Sequence, residues 1–316
     1  MKKFIIKTFL ISLPIILIGI SIELFISFYP NTFNTKAKYL TSNLENIEIL
    51  FLGSSHIQDG INPEFIDVPS ANVAYAQQDY QLDNALYFKY IDRLKNIDKV
   101  VIELDYHSLE EKNDQDYFGL LWYYRYYDIN LDDFKAYNKL TMFYSNPKFF
   151  TNYLKRTLNP FNEKNRINKF GFMGNDSDVF KRLNFDEKII AETSIKRLKN
   201  RHTSVSVANF KSNKEILRSL IEDCWERNIQ VIILKTPQYV TYRNNYNLER
   251  LERRDHLIDS LSTIRKIKIW DYEEDERFGL TDFKNDDHLN SKGAEKLSKI
   301  INEELKNERK LSTLPK

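Results

Sequence analysis

Residues 47–60, IEILFLGSSHIQDG, place the tightest constraint on the fold: an apolar run that stops at Gly53-Ser54-Ser55-His56. In an open α/β sheet, a buried strand that delivers a small residue and then a serine to its C-terminal tip presents a hydroxyl to the crevice where such sheets bind ligands. Ser55 is therefore the candidate nucleophile. The same four residues also suit a polar turn that merely closes a strand, so the choice depends on the rest of the chain.

Further runs follow at a regular rhythm. Asn72-Val-Ala-Tyr-Ala is a second strand candidate, Val100-Val-Ile-Glu-Leu-Asp a third, Ile229 to Lys235 a fourth and Ile267 to Asp271 a fifth. Helical spacing lies between them: Leu82, Ala85, Leu86, Tyr90 and Leu94; Ile216, Leu217, Leu220, Ile221 and Cys224; Leu251, Leu257, Ile258 and Leu261; and finally Leu297, Ile300, Ile301 and Leu305. Strand and helix in alternation argue for βαβ units, and hence an α/β fold with a parallel sheet of about five strands. Residues 114–207 break the rhythm with FGLLWYYRYYDI, a second aromatic stretch from Phe143 to Tyr153, and GFMGNDSD. They read as a mostly helical insertion, either a local aromatic core or a lid over the strand tips.

Lys2 and Lys3 precede a stretch from Phe4 to Tyr29 in which Thr8 to Ile22 carries no charge. This is long enough to span a bilayer with flanking residues at the interfaces. Lys7, Pro14 and Glu23 interrupt it, and a cleaved signal peptide is the rival reading. No small-x-small cleavage pattern follows the apolar core, which favours a retained anchor over residues 1–30 and a main domain over residues 31–316. The lysines before the span place the N-terminus in the cytoplasm and the main domain outside it.

Basic and acidic residues nearly balance, 47 against 45, so nothing points to a nucleic-acid partner. The single cysteine, Cys224, excludes an internal disulfide framework and a multi-cysteine metal site. With eight glycines in 316 residues, Gly-rich phosphate loops are disfavoured.

Between the fifth strand and the last helix lies TDFKNDDHLNSKGAEK, residues 281–296. His288 among carboxylates can be a surface histidine, a metal ligand, or the base of a relay in which a carboxylate fixes the imidazole tautomer. Serine needs such a base because its hydroxyl is otherwise a poor nucleophile. Metal binding would want more His or Cys ligands than five scattered histidines and one cysteine offer; no metal and no cofactor is expected. His56 adjoins Ser55, but neighbouring side chains on an extended strand point to opposite faces, so His56 reads as a neighbour and not as the base.

Two blocks, Gly53-Ser54-Ser55 after a strand and Asp286-Asp287-His288 before the final helix, resemble the hallmarks of the SGNH (GDSL-like) hydrolase superfamily. The resemblance implies a three-layer α/β/α fold with catalytic Ser55, His288 and an aspartate. Asn285 stands where the family's Asp-x-x-His would put the acid, so Asp286 is the expected acid, by the Asp-x-His spacing of SGNH-like proteins of alginate O-acetylation, with Asp287 the alternative. The family's internal blocks put Gln77 in place of a glycine and His107 near an asparagine; with the Ser55 amide they are the implied oxyanion donors.

The look is similar to membrane-anchored SGNH-like proteins of cell-surface polymer modification, including the D-alanyl transfer protein of lipoteichoic acid synthesis. It implies a serine esterase or O-acyltransferase acting through an acyl-serine on acyl, expected acetyl, esters of a cell-surface or secreted polysaccharide. A membrane-bound O-acyltransferase is the implied partner. The rival function is a membrane-tethered polymer-binding or structural component with an impaired site, which the altered internal blocks would suit.

Overall fold

Apolar runs without polar alternation become strands of a sheet covered on both faces. The computed structural model describes residues 1–112, 119–158, 167–174, 179–198, 202, 205–264 and 267–312. Its strands are β1 (Ile49–Leu52), β2 (Ser70–Asn72), β3 (Lys99–Glu103), β4 (Gln230–Lys235) and β5 (Ile267–Asp271). They form one sheet in the order β2-β1-β3-β4-β5, with every neighbouring pair parallel. All four residues of β1 are buried, as are the last four of β3 and the last five of β4.

The helices are α1 (Lys2–Phe28), α2 (Thr32–Ser42), α3 (Ser55–Gly60), α4 (Tyr80–Tyr90), α5 (Gly119–Trp122), α6 (Met142–Ser145) and α7 (Pro147–Thr157). They continue with α8 (Val179–Arg182), α9 (Glu187–Leu198), α10 (Val207–Glu226), α11 (Val240–Arg243), α12 (Leu248–Ser262) and α13 (Ser291–Ser312). Side-chain caps fix several starts: the Asp79 carboxylate accepts from Leu82 N–H at the head of α4, and Ser206 from Asn209 N–H at the head of α10.

The second strand lies earlier than its apolar residues suggest, ending at Asn72 where the sequence places its beginning. The Asn72 side chain ties the end of the strand to the segment that follows β1. Its amide donates to the Ile57 and Ile61 carbonyls at 2.9 and 2.8 Å and its oxygen accepts from Ala74 N–H, while Val73 and Tyr75 N–H still reach the Phe51 and Gly53 carbonyls at 3.1 and 3.3 Å. On α12 the expected apolar face is also displaced. Leu251, Leu257 and Ile258 are half-buried, whereas Arg250 and Arg254 are buried. Arg254 meets both oxygens of Glu273 at 2.6 and 2.9 Å, and Arg250 donates to the carbonyls of His107 and His202. A planar guanidinium with its donors matched in this way is tolerated inside a core.

The chain falls into two compact units, residues 1–34 with 115–165, and residues 35–114 with 166–316. The sheet and everything after residue 166 belong to the second. The expected insertion is thus divided, its first aromatic part grouping with the N-terminal helix. Within that first unit α1 is long and apolar enough to cross a membrane. Phe33, Trp122, Phe149 and Phe150 form a cluster of edge-on rings in the same unit. Phe118 and residues 175–178 of the GFMGNDSD stretch lie outside the described residues.

The strand order places β1 between β2 and β3. The connection leaving β1 runs to one side and that leaving β2 returns to the other, so the C-terminal tips of β1 and β3 flank the point where the winding reverses. Ligands of open α/β sheets bind at this point.

Candidate active site

At the tip of β1 the backbone passes through Gly53 with φ +145. A Cβ there would stand 2.6 Å from both Cβ and Oε2 of Glu103 and 2.8 Å from Cγ1 of Ile57. The close approach lets Glu103, the last residue of β3, grip the following turn: its carboxylate accepts from the Ser54 amide at 2.7 Å and from the Ser54 hydroxyl at 2.8 Å. Gly53→Ala is expected to cost about 3 kcal/mol, from an unfavourable backbone conformation and a steric clash together. Denaturant unfolding of the full chain measures it; a midpoint equal to the parent's would show that the tip has room to spare.

Ser54 is the N-cap of α3, which makes Ser55 its first residue. Ser55 therefore sits on a helix turn and not at the end of an extended strand. His56 in consequence does not point away: its ring centroid is 4.8 Å from that of His288 and the two rings meet edge to face. The reasoning that set His56 aside fails because residues 55 and 56 are helical.

The loop before α13 supplies His288. Asn285 shapes it, its side-chain oxygen accepting from the amides of His288 at 2.8 Å and Asp287 at 3.2 Å. His288 Nε2 is 2.8 Å from Ser55 Oγ, and His288 Nδ1 is 2.8 Å from Asp287 Oδ1. Asp286, the expected acid, is turned away from His288 to Arg197 of α9, and its backbone carbonyl holds Tyr239 N–H. Asp287 is the carboxylate against the imidazole, with Arg197 on the same oxygen at 2.5 Å. Successive residues of a loop face different ways, and Asn285 fixes which of the two aspartates faces the ring.

A second histidine–carboxylate pair backs the first. His56 Nδ1 lies 2.6 Å from Asp105 Oδ2, and Asp105 Oδ1 accepts from the Thr236 amide at 2.8 Å. The far nitrogen of His56 is 4.0 Å from Asp287 Oδ2. His107 meets it edge to face, ring centroids 4.3 Å apart, and His202 stacks on His107 at 5.1 Å. Four of the five histidines in the chain thus form one row from four remote segments.

The charges follow from these neighbours. Burial disfavours a charged His56, but its hydrogen bonds to Asp105 and Asp287 and the charges of Asp105 and Glu103 outweigh this, so its pKa lies well above the usual histidine value. Burial lowers His288, and the neighbouring His56 and Lys284 cations add to that against the opposing pull of Asp287. Asp287 is held well below the carboxylate range: burial opposes ionisation, but His288, His56 and Arg197 prevail. Glu103 is pushed up to about 7 by burial and by Asp105. His107 is lowered by burial and then by His56, and burial takes His202 to about 3. At neutral pH the row reads as a neutral His288, an ionised Asp287 and a cationic His56.

The implied oxyanion residues fall differently. Gln77 is exposed in the turn after β2 with φ 63, a left-handed conformation that favours glycine. His107 meets Ser54 rather than Ser55: its Nε2 is 3.0 Å from Ser54 Oγ and 3.3 Å from Glu103 Oε1. Two groups, His56-Asp287-His288 and His56-Glu103-His107, bring metal-binding atoms within 4.8 Å of one another. In both, these side chains already engage one another, Ser54, Ser55 or Asp105, and the histidine–carboxylate contacts are those of an ionic hydrogen-bond network.

Sequence reasoning set His56 aside and passed over Glu103, Asp105 and Arg197. A signal existed for two of them. Glu103 and Asp105 are carboxylates at the tip of a buried strand, where charge is costly without a partner.

No family model and no curated protein matches the chain. Among solved structures it is similar to one described as a "putative acylhydrolase" from Bacteroides fragilis NCTC 9343, at 12% identity over 86% of this chain and 95% of that one, with a TM-score of 0.42. It is also similar to a GDSL-like lipase from Bacteroides thetaiotaomicron VPI-5482, at 10% identity over 87% of this chain and 99% of that one, with a TM-score of 0.41.

Proposed function

We propose that the chain is a serine acyl hydrolase or O-acyltransferase of the SGNH type, tethered to a membrane by α1, with Ser55, His288 and Asp287 as its catalytic residues. The observation that carries this reading is the unbroken contact series from Ser55 Oγ to His288 Nε2 and from His288 Nδ1 to Asp287, 2.8 Å at each step. With Asp287 ionised and His288 neutral, Nδ1–H donates to Asp287 and Nε2 is left as the proton acceptor that the hydroxyl requires.

Ser55 Oγ attacks an ester carbonyl carbon as its proton passes to His288 Nε2. The tetrahedral oxyanion is held by amide N–H groups, for which Ser55, in a first helical turn whose amides lack intrahelical acceptors, and Gln77 are the candidates. Collapse expels the alcohol, which takes the proton back from His288. Water or a sugar hydroxyl then attacks the acyl-serine carbonyl, giving its proton to His288 Nε2, and collapse breaks the bond to Ser55 Oγ, which takes that proton back as the acid or new ester leaves. Asp287 remains ionised throughout and stabilises the imidazolium. The substrate class in this reading is an acyl ester, acetyl foremost, of a cell-surface or secreted polysaccharide. The lysines at the head of α1 support a cytoplasmic N-terminus with the catalytic unit outside, where a membrane-bound O-acyltransferase is the fitting partner.

The test is a fluorophosphonate probe on the full chain, with the adduct mapped by mass spectrometry. A single adduct at Ser55 is expected; an unlabelled parent protein would overturn the proposal. The pH dependence of labelling adds a sign. His288 must be neutral to act, and its pKa lies below the ordinary histidine value of 6.5. The rate should therefore rise with pH below that value and be flat through neutrality, where a free histidine would still be titrating. A rate still climbing steeply between pH 7 and 8 would require a base that titrates above neutrality and would place it elsewhere than His288.

A further inference from the structure

The unit built from residues 1–34 and 115–165 contains a stretch that the acyl-transfer reading does not use. From Phe134 to Leu158 the chain carries Lys135, Lys139, Lys148, Lys155 and Arg156 and not one acidic residue. Four of its large side chains are about two-thirds exposed: Tyr137, Leu140, Tyr144 and Leu158. Large apolar side chains left in water at this density mark a contact surface.

Its position on α1 identifies the contact. The side chain that Gly19 lacks would collide with the Tyr144 hydroxyl, so α6 lies directly against the helix at that residue. Four residues on, Glu23 is buried and its two oxygens accept from the amides of Phe143 and Tyr144, each at 3.1 Å. A carboxylate inside an apolar helix requires such partners when water is scarce. Both contacts fix α6 to one level of α1. The hydrocarbon core takes about 20 helical residues. Any such window within the apolar stretch from Phe4 to Phe28 includes both Gly19 and Glu23, whatever its register, so Tyr144 lies at membrane depth whenever α1 spans.

We propose that residues 134–158 form an interfacial collar around the C-terminal half of α1, with Tyr137, Leu140, Tyr144 and Leu158 in the boundary layer of the bilayer and Lys135, Lys148 and Lys155 among anionic lipid headgroups. Charge complementarity selects the anionic surface, since basic side chains close to it are drawn to anionic headgroups and Lys135, Lys148 and Lys155 add to the charge of the stretch beyond Lys139, which pairs with Asp128. The inference rests on α1 crossing the membrane and is independent of the chemistry at Ser55.

The test uses nitroxide labels on single cysteines introduced into the full chain in vesicles containing phosphatidylglycerol, with Cys224 left in place because it is buried. Labels at Leu140→Cys and Leu158→Cys should collide several-fold more with oxygen than with an aqueous nickel chelate, relative to Leu248→Cys, an exposed site in the other unit. Tyr144→Cys reports the same depth, and the other two sites stand should that substitution disturb packing on Gly19. Leu10→Cys, on the exposed face of α1, separates the two ways of failing. A water-exposed Leu10 label would remove the membrane reading itself; a lipid-exposed Leu10 label with water-exposed labels at 140 and 158 would overturn the collar alone. Labels shielded from both reagents would overturn it in favour of a protein partner. Unchanged ratios in purely zwitterionic vesicles would overturn the role given to the cations.

Discussion

Ester turnover by the Ser55→Ala variant is expected to fall by about 10^3-fold or more, and His288→Gln by a comparable factor, with the double variant no worse than either alone. The reason is geometric. Ser55 Oγ and His288 Nε2 stand 2.8 Å apart, and neither has a use in acyl transfer without the other: a hydroxyl without a base is a poor nucleophile, and a base without the hydroxyl has no proton to take. Residual turnover in each variant would come from binding and oxyanion stabilisation, which both leave in place. The fold should tolerate the change. Losing one hydroxyl hydrogen bond costs about 1 kcal/mol, so the unfolding midpoint should move little while activity collapses. Initial rates on an acetyl ester, beside denaturant unfolding of the same preparations, separate the two effects. A Ser55→Ala protein with parental turnover would leave the β1 tip as a polar turn and nothing more.

How far the sequence could show this site depends on the distance over which each feature is encoded. β1, β3, β4 and β5 are local apolar runs, and the structure has them within two residues of where the runs stand. β2 was misplaced because its residues, Ser70 to Asn72, are small or polar and precede the apolar run, and Asn72 is buried by tertiary contacts to the Ile57 and Ile61 carbonyls that have no local pattern. Ser55 was visible as the residue after a strand tip, but its helical setting was not. Only the Ser54 cap and the grip of Glu103 on Ser54 establish that, and Glu103 is 49 residues away. The row of four rings joins residues 56, 107, 202 and 288, and no spacing rule links positions so far apart. Arg197 lay unremarked in an insertion read for its aromatics, although it is the cation on both aspartates of the His288 loop. The division of the insertion left a trace that was not used: its aromatics are dense before the boundary near residue 165 and sparse after it, although only packing shows that the first part groups with α1.

Asp287→Asn and Asp286→Asn, one residue apart and chemically the same change, are expected to differ by orders of magnitude. Asp287 faces His288 Nδ1 at 2.8 Å and has Arg197 at 2.5 Å and the far nitrogen of His56 at 4.0 Å. An amide in its place removes the charge that stabilises the imidazolium, and an NH2 group turned to Nδ1 would select the tautomer with its proton facing Ser55. A loss of about 10^4-fold is the expected scale for that combination. The pH profile should move as well. The Asp287 charge raises the pKa of His288 against burial, so removing it lowers that pKa further and shifts the rising limb of the residual activity to more acid pH. Asp286 makes its ionic contact with Arg197 instead, and its second oxygen is buried without a partner. Burial already raises its pKa against the pull of Arg197, so replacing it with a neutral amide removes a charge that the site holds at a cost. Arg197 keeps Asp287 in that variant, and turnover should stay within about tenfold of the parent, since only an indirect contact to the base is altered. Equal losses in the two variants would reject Asp287 as the residue that orients His288, and a larger loss in Asp286→Asn would return the role to Asp286 and require the loop to rearrange when substrate binds.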